Sequence, residues 1–353
     1  MRKLFVCIAL GLTTLTGNAA SPLWMRDVQI SPDGTEIAFC YKGDIYKVSA
    51  GGGTAIQLTT QPSYECTPIW SPDSKQIAFA SDRNGNFDIF VMPATGGTAQ
   101  RLTTHSSSEL PSTFTPDGKY ILFSASIQDP SQSALFPTTA MTELYKVPVN
   151  GGRTEQVLGT PAEAVCYAPS GEFLLYQDRK GFEDEWRKHH TSSITRDIWL
   201  YDTKTGKHTN LTNHAGEDRN PVLSPDGKSV YLLSERKGSF NVYSFPLDNA
   251  QDLKAVTSFK THPVRFLSMS HGGTLCYAYD GEIYTQKDNA TPQKINIDIV
   301  RDDQDKIADL TFTNGATSGT VSPDGKQIAF IVRGEVFVTS TDYATTKQIT
   351  HTP

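Results

Sequence analysis

No stretch of this chain sustains a helical hydrophobic period. Hydrophobic residues make up only 37% of it, while aromatics are plentiful. That combination disfavours a helical bundle and favours many short strands joined by polar turns. Basic residues are not in excess either. The formal charge is −6, so nothing points to a nucleic-acid or anionic-membrane partner. Cysteines at metal-type pair spacing are absent, because Cys7, Cys40, Cys66, Cys166 and Cys276 are scattered. There is no G-x-S-x-G and no strand, elbow and helix around a serine, so the residues nominate no nucleophile.

The one pronounced apolar run is at the start. Arg2-Lys3 precedes a mostly apolar stretch over residues 4–15, too short to span a bilayer comfortably. Gly17-Asn18-Ala19-Ala20 then supplies small residues for cleavage. Residues 1–20 therefore read as a secretory signal. Export, to a periplasm or outside the cell, is the expected localisation. Loss of Arg2 and Lys3 takes the charge to −8. Disulfides are allowed in such a compartment, but the remaining cysteines are expected to be buried free thiols filling small core positions.

Residues 68–104 read as one complete four-stranded antiparallel unit. Ser71-Pro72-Asp73-Ser74 is its first turn, and Ile77-Ala78-Phe79-Ala80 is a second strand apolar on both faces. The turn recurs with first residues Ser31, Ser71, Thr115, Ala168, Ser224, Ser270 and Ser322. These are 40, 44, 53, 56, 46 and 52 residues apart. A polar, aliphatic, aromatic triplet follows each turn, as in Asp44-Ile45-Tyr46, Asp88-Ile89-Phe90 and Glu335-Val336-Phe337. Most units close on a third mark such as Leu58-Thr59 or Leu102-Thr103, which is weaker in the third and sixth.

A repeat of about 40–50 residues with four strands is a propeller signature. One such sheet cannot bury both apolar faces alone, whereas sheets packed around an axis can. Two units carry insertions between their second and third strands, at residues 126–142 and 178–196. Long loops at equivalent places in a repeat share one face and often carry function.

SPDG, IAF, D-I-Y/F and the closing L-T together resemble the WD40-like propeller repeats of tricorn-type peptidases and of TolB, over residues 22–353. The layout is more specific. Six units begin directly after the signal, the fourth holds EDEWRKHHTSSITRDIW, and LTFTNGA leads into SPDGKQIAFIVRGEVFVTS. This resembles the N-terminal β-propeller region of exported bacterial tricorn-type serine peptidases. In that family a six-bladed propeller precedes a seven-bladed one, followed by a PDZ domain and a catalytic core. The resemblance implies an all-β chain: a six-bladed β-propeller of four-stranded antiparallel blades plus the first blade of a second propeller. The expected divisions are a signal over 1–20, the propeller over 21–295, a linker over 296–317 and a truncated blade over 318–353. No residue here matches the family's catalytic segment, so no catalytic residue is carried over.

The candidate site is Arg187-Lys188-His189-His190 in the fourth insertion. Placed near a channel mouth, this basic run can attract a peptide carboxylate through charge-assisted hydrogen bonds. The competing reading is a solvated loop whose Glu183, Asp184 and Glu185 pair with it locally, with Trp186 anchoring the loop to its blade. A metal on His189-His190 is disfavoured, because adjacent residues of a strand point apart and two cations sit beside them. No cofactor is implied. Asp302-Asp303-Gln304-Asp305 lacks calcium-loop spacing and reads as solvated linker. The repeated Asp44, Asp88, Glu143, Asp197, Glu282 and Glu335 are read as local hydrogen-bonding groups rather than an acidic pore ring.

The leading expectation is a non-catalytic propeller region that guides or filters peptides and scaffolds assembly. Its partners would be peptides or protein segments and C-terminal PDZ and catalytic domains. The alternatives are a stand-alone TolB-like envelope binding module and the propeller half of a dipeptidyl-peptidase-like hydrolase.

Overall fold

The computed structural model describes residues 22–127, 141–182, 186, 187, 189, 191–287, 290–300 and 313–350. The expected signal over 1–20 and the acidic run at 302–305 lie outside them.

Each turn closes as its residues dictate. In the first, the Ser31 hydroxyl donates to Asp33 Oδ1 at 2.6 Å and accepts the Glu36 N–H at 3.0 Å. The fourth turn position is left-handed in all seven units, at Gly34, Ser74, Gly118, Gly171, Gly227, Gly273 and Gly325. The serine hydroxyl beside Asp33, Asp73, Asp226 and Asp324 holds those carboxyls below their usual range.

The strand after each turn pairs with the triplet strand, and in six of the seven units this sets an aromatic opposite an aromatic, Leu232 facing Tyr243 in the fifth. Phe39 lies opposite Tyr46, Phe79 opposite Phe90 and Phe123 opposite Tyr145. The closing threonine clasps the same strand. Thr59 Oγ1 accepts the Ile45 N–H at 2.8 Å and donates to Asp44 at 3.2 Å. Thr103, Thr212, Thr257 and Thr350 likewise accept the aliphatic N–H of their units at 2.8–2.9 Å. Asp44, Asp197 and Glu335 bond their own closing threonine and Glu282 bonds Lys294, as expected of local groups, whereas Asp88 is held by an ion pair with Arg101. The third and sixth units end in Leu158-Gly159 and Ile295-Asn296 and lack the hydroxyl.

Seven four-stranded antiparallel sheets result. Six form a ring. Their first strands are Arg26–Ile30, Glu65–Trp70, Glu109–Phe114, Ala162–Tyr167, Asp218–Leu223 and Val264–Met269. Each lies beside the next, and the sixth beside the first. The core is divided into six layers, one at every blade boundary. Alternate residues of a second strand serve different layers: Ile37 and Phe39 pack towards the sixth blade, Ala38 and Cys40 towards the second. Cys40 and Cys276 are buried free thiols in these layers, whereas Cys66 and Cys166 are free but only half-buried, against expectation.

The ring is fastened where its ends meet. The segment expected to begin the linker instead continues as a strand, Ile297–Asp298, parallel to Gly53–Thr54 of the first blade. It forms because Gly53 and Ala55 have backbone N–H groups free of their own sheet. These donate to the Asn296 and Asp298 carbonyls at 2.9 and 2.8 Å.

The seventh sheet, Ala316–Val321, Gln327–Val332, Glu335–Ser340 and Thr346–Gln348, stands outside the ring. Its second and third strands remain mostly half-exposed where the equivalent ring residues are buried. Its tip touches the ring through Arg333, which pairs with Asp82 and lies 5.6 Å from the Tyr64 ring.

Candidate functional site

Antiparallel pairing puts the start of each first strand beside the end of its second, as in Arg26 opposite Cys40. The loops between second and third strands therefore share one end of the ring, its mouth, with the first-strand starts. The described ends of both insertions lie at that mouth.

Every first strand carries a one-residue bulge near it. In five blades a non-glycine residue there is left-handed: Asp27, Thr67, Ala164, Asn220 and Phe266, with φ between 47° and 58°. In the third blade Pro111 occupies the place, and its ring excludes that conformation. Each left-handed residue costs about 1–3 kcal/mol and persists only where the surroundings demand it. Such bulges re-aim side chains. The residues just before them are Arg26, Cys66, Glu163, Arg219 and Arg265, with Leu110 at that position in the third blade. All six stand five positions before the turn. The sequence reading missed this set, although aligning the units on their turns would have exposed it.

Carboxylates crowd the walls of blades two to five. A cation one or two positions after the second strand answers them in three blades. Arg83 meets Glu65 at 3.0 Å, Arg179 meets Glu163 at 2.8 Å, and Arg236 meets Asp218 at 2.6 Å. In the third blade Ile127 stands where that arginine would be, and Glu109 lacks the pairing. Burial pushes the Glu109 carboxyl up to about 7, and the Thr103 hydroxyl bonded to it opposes the rise.

The fourth insertion enters this setting. Arg187 does not point to solvent. Its Nη1 donates to Glu235 Oε1 and Oε2 at 3.2 and 3.0 Å, and its Nη2 pairs with Glu217. Glu217 also accepts from Arg196 at 2.8 Å, and Arg219 lies 3.6 Å away. His189 Nδ1 sits 3.1 Å from Glu235 Oε2. Glu217 and Glu235 are completely buried, on the fifth blade. The carboxylate contact expected of Arg187 is thus made within the chain. Among the described residues Arg187 meets these two glutamates, 30 and 48 residues on. Lys188, His190 and residues 183–185 lie outside the described residues.

Trp186 corrects the expectation of an anchor on its own blade. Its ring centroid is 4.8 Å from the Arg26 guanidinium of the first blade and 5.0 Å from that of Arg265 on the sixth. Phe266 meets it edge-on at 6.1 Å. Arg265 Nη2 also donates to the Trp186 carbonyl at 2.7 Å. In a ring of six, blade one is opposite blade four. Trp186 therefore sits at the far wall, where two arginines supply cation–π partners. Among the described residues no cluster of three or more His, Cys, Asp or Glu side chains could hold a metal ion.

The comparisons agree with this architecture. The family model described as the tricorn protease N-terminal beta propeller domain matches residues 22–292. A tricorn protease homolog of Saccharolobus solfataricus is 27% identical over 210 residues, which is 57% of this chain and 18% of that protein. An uncharacterized protein of Agrobacterium fabrum is 31% identical over 194 residues, 53% of this chain and 61% of that one. The chain thus spans less than two thirds of the length of these relatives. The crystal structure of the tricorn protease superposes with a TM-score of 0.66 at 21% identity, covering 94% of this chain and 31% of that one. TolB from Acinetobacter baumannii gives 0.55 at 20% identity, over 77% of this chain and 62% of that one. With the family model matched over most of its length and a closed ring of six four-stranded blades, the chain belongs to the tricorn protease N-terminal β-propeller family.

Proposed function

We propose that this propeller is the non-catalytic, peptide-handling part of an exported tricorn-type serine peptidase. Hydrolysis belongs to a catalytic part outside this chain, and the fourth-blade loop filters peptides at the channel mouth. The observation that carries the reading is the position of Trp186, tethered to the fourth blade and seated on Arg26 and Arg265 of the first and sixth. A loop that crosses a channel mouth controls what enters it. The seventh sheet supports a continuation into a second propeller, because its half-exposed Ile328, Phe330, Val336 and Phe337 are the residues that neighbouring blades cover inside a ring. The apolar run over residues 4–15 behind Arg2-Lys3 supports export.

The test is peptide turnover by the longer polypeptide that carries this chain. Neutralising Arg187 and Lys188 should lower kcat/KM for long peptides and leave a small activated ester unaffected. Unchanged peptide kinetics would sink the reading.

A further inference from the structure

Trp186 and Arg187 make contacts unlike those of an ordinary surface loop. Both side chains and a backbone carbonyl are received by blades other than their own. The indole lies against Arg26, Arg265 and Phe266. The Trp186 carbonyl accepts from Arg265 at 2.7 Å, and the Arg187 carbonyl lies 3.4 Å from the same nitrogen. The guanidinium enters between Glu217 and Glu235. This is how an extended peptide is held: by one aromatic anchor, one main-chain contact and one charged pocket.

We infer that the channel mouth is a binding site for peptide segments carrying an aromatic residue followed by an arginine, and that Trp186-Arg187 occupies it as an internal pseudo-ligand. The inference rests on the peptide-handling reading above and names the peptide class. Two fully buried carboxylates select a cation, and their geometry suits a planar fork of donors better than a point charge. The two wall arginines select an aromatic face over an aliphatic side chain, which carries no quadrupole. A tethered occupant competes at an effective concentration on the order of millimolar, so an incoming peptide must displace it. Half of the Trp186 surface stays exposed, which leaves room for that exchange.

The experiment uses the full chain and a fluorescein-labelled probe, Gly-Ser-Trp-Arg-Ser-Gly, followed by polarisation. Trp186→Ala with Arg187→Ala vacates the seat and should bind the probe at least about tenfold more tightly than the wild type. Replacing the probe's tryptophan with alanine, or its arginine with glutamate, should each weaken binding by about tenfold. Adding Arg265→Ala to the vacated chain should abolish it. If circular dichroism shows the double variant unfolded, Trp186→Ala alone vacates the aromatic seat, leaves the buried pairing intact, and is scored with the tryptophan probe against its alanine counterpart. Equal binding of all probes overturns the aromatic–basic assignment and leaves the peptide-handling reading standing. No binding by a folded variant overturns the inference, while the turnover experiment judges the wider reading separately.

Discussion

Arg187 Nη1 donates to Glu235 Oε2 at 3.0 Å, joining a loop of the fourth blade to a fully buried carboxylate of the fifth. Glu217 beside it is shared by Arg187 and Arg196. Removing one member of such a buried network strands the others without water. Glu217→Ala should therefore cost about 3–5 kcal/mol. Glu172→Ala is the control. Its bridge to Lys204 at 3.0 Å is exposed on both sides, and its loss should cost under about 1 kcal/mol. Denaturant midpoints of the two variants measure the difference. Equal midpoints would mean that the network does not hold the loop.

Glu109 should make stability depend on pH. Its folded carboxyl titrates at about 7, raised chiefly by burial and further by Asp88. Above its ordinary range the unfolded chain releases the proton while the folded chain keeps it. The contribution is therefore favourable at low pH, is lost as pH rises from about 4.5 to about 7, and amounts to something on the order of 3 kcal/mol. Glu109→Gln should flatten that slope and leave the variant more stable than the wild type at pH 8 but not at pH 4. Parallel pH slopes in denaturation would refute this.

The seam between the first and sixth blades depends on Gly52. Its φ is +91°, and a Cβ there would lie 2.6 Å from the Asn296 carbonyl oxygen. Gly53 has φ +109° but open space around it. Gly53→Ala should thus cost only the backbone strain, about 1–3 kcal/mol. Gly52→Ala should cost more, because it also pushes away the segment that fastens the ring. Thermal unfolding of the pair tests the seam, and equal shifts would show that this strand pairing is not what closes it.

The blade was legible in the sequence because its determinants are local. Ser31 and Asp33 are two residues apart, and Phe39 and Tyr46 seven. The threonine clasp was visible as a mark, though its partner was not. It works through the backbone N–H of Ile45, which no pattern of side chains displays. The candidate loop was found from its length and charge, but the direction of Arg187 was not. Local pairing within the loop was the competing expectation. The structure turns the guanidinium to Glu217 and Glu235, which lie on another blade, while residues 183–185 lie outside the described residues.

The sequence by itself determined the repeat, the four-strand order and the doubly apolar second strands, since turn chemistry and a period of two act within a few residues. The six-bladed ring was implied by the family resemblance and not by the repeat itself, and only the tertiary structure showed how it closes and that Trp186 reaches the far wall. Closure rests on contacts such as Ile30 N–H to Ser268 Oγ at 3.1 Å, between residues 238 apart. The mouth is assembled from Arg26, Arg187, Glu217 and Arg265, which become neighbours only once the sheets pack around their axis. Nothing in the spacing of those residues along the chain encodes that meeting, because blade packing rather than local propensity sets the distances between them.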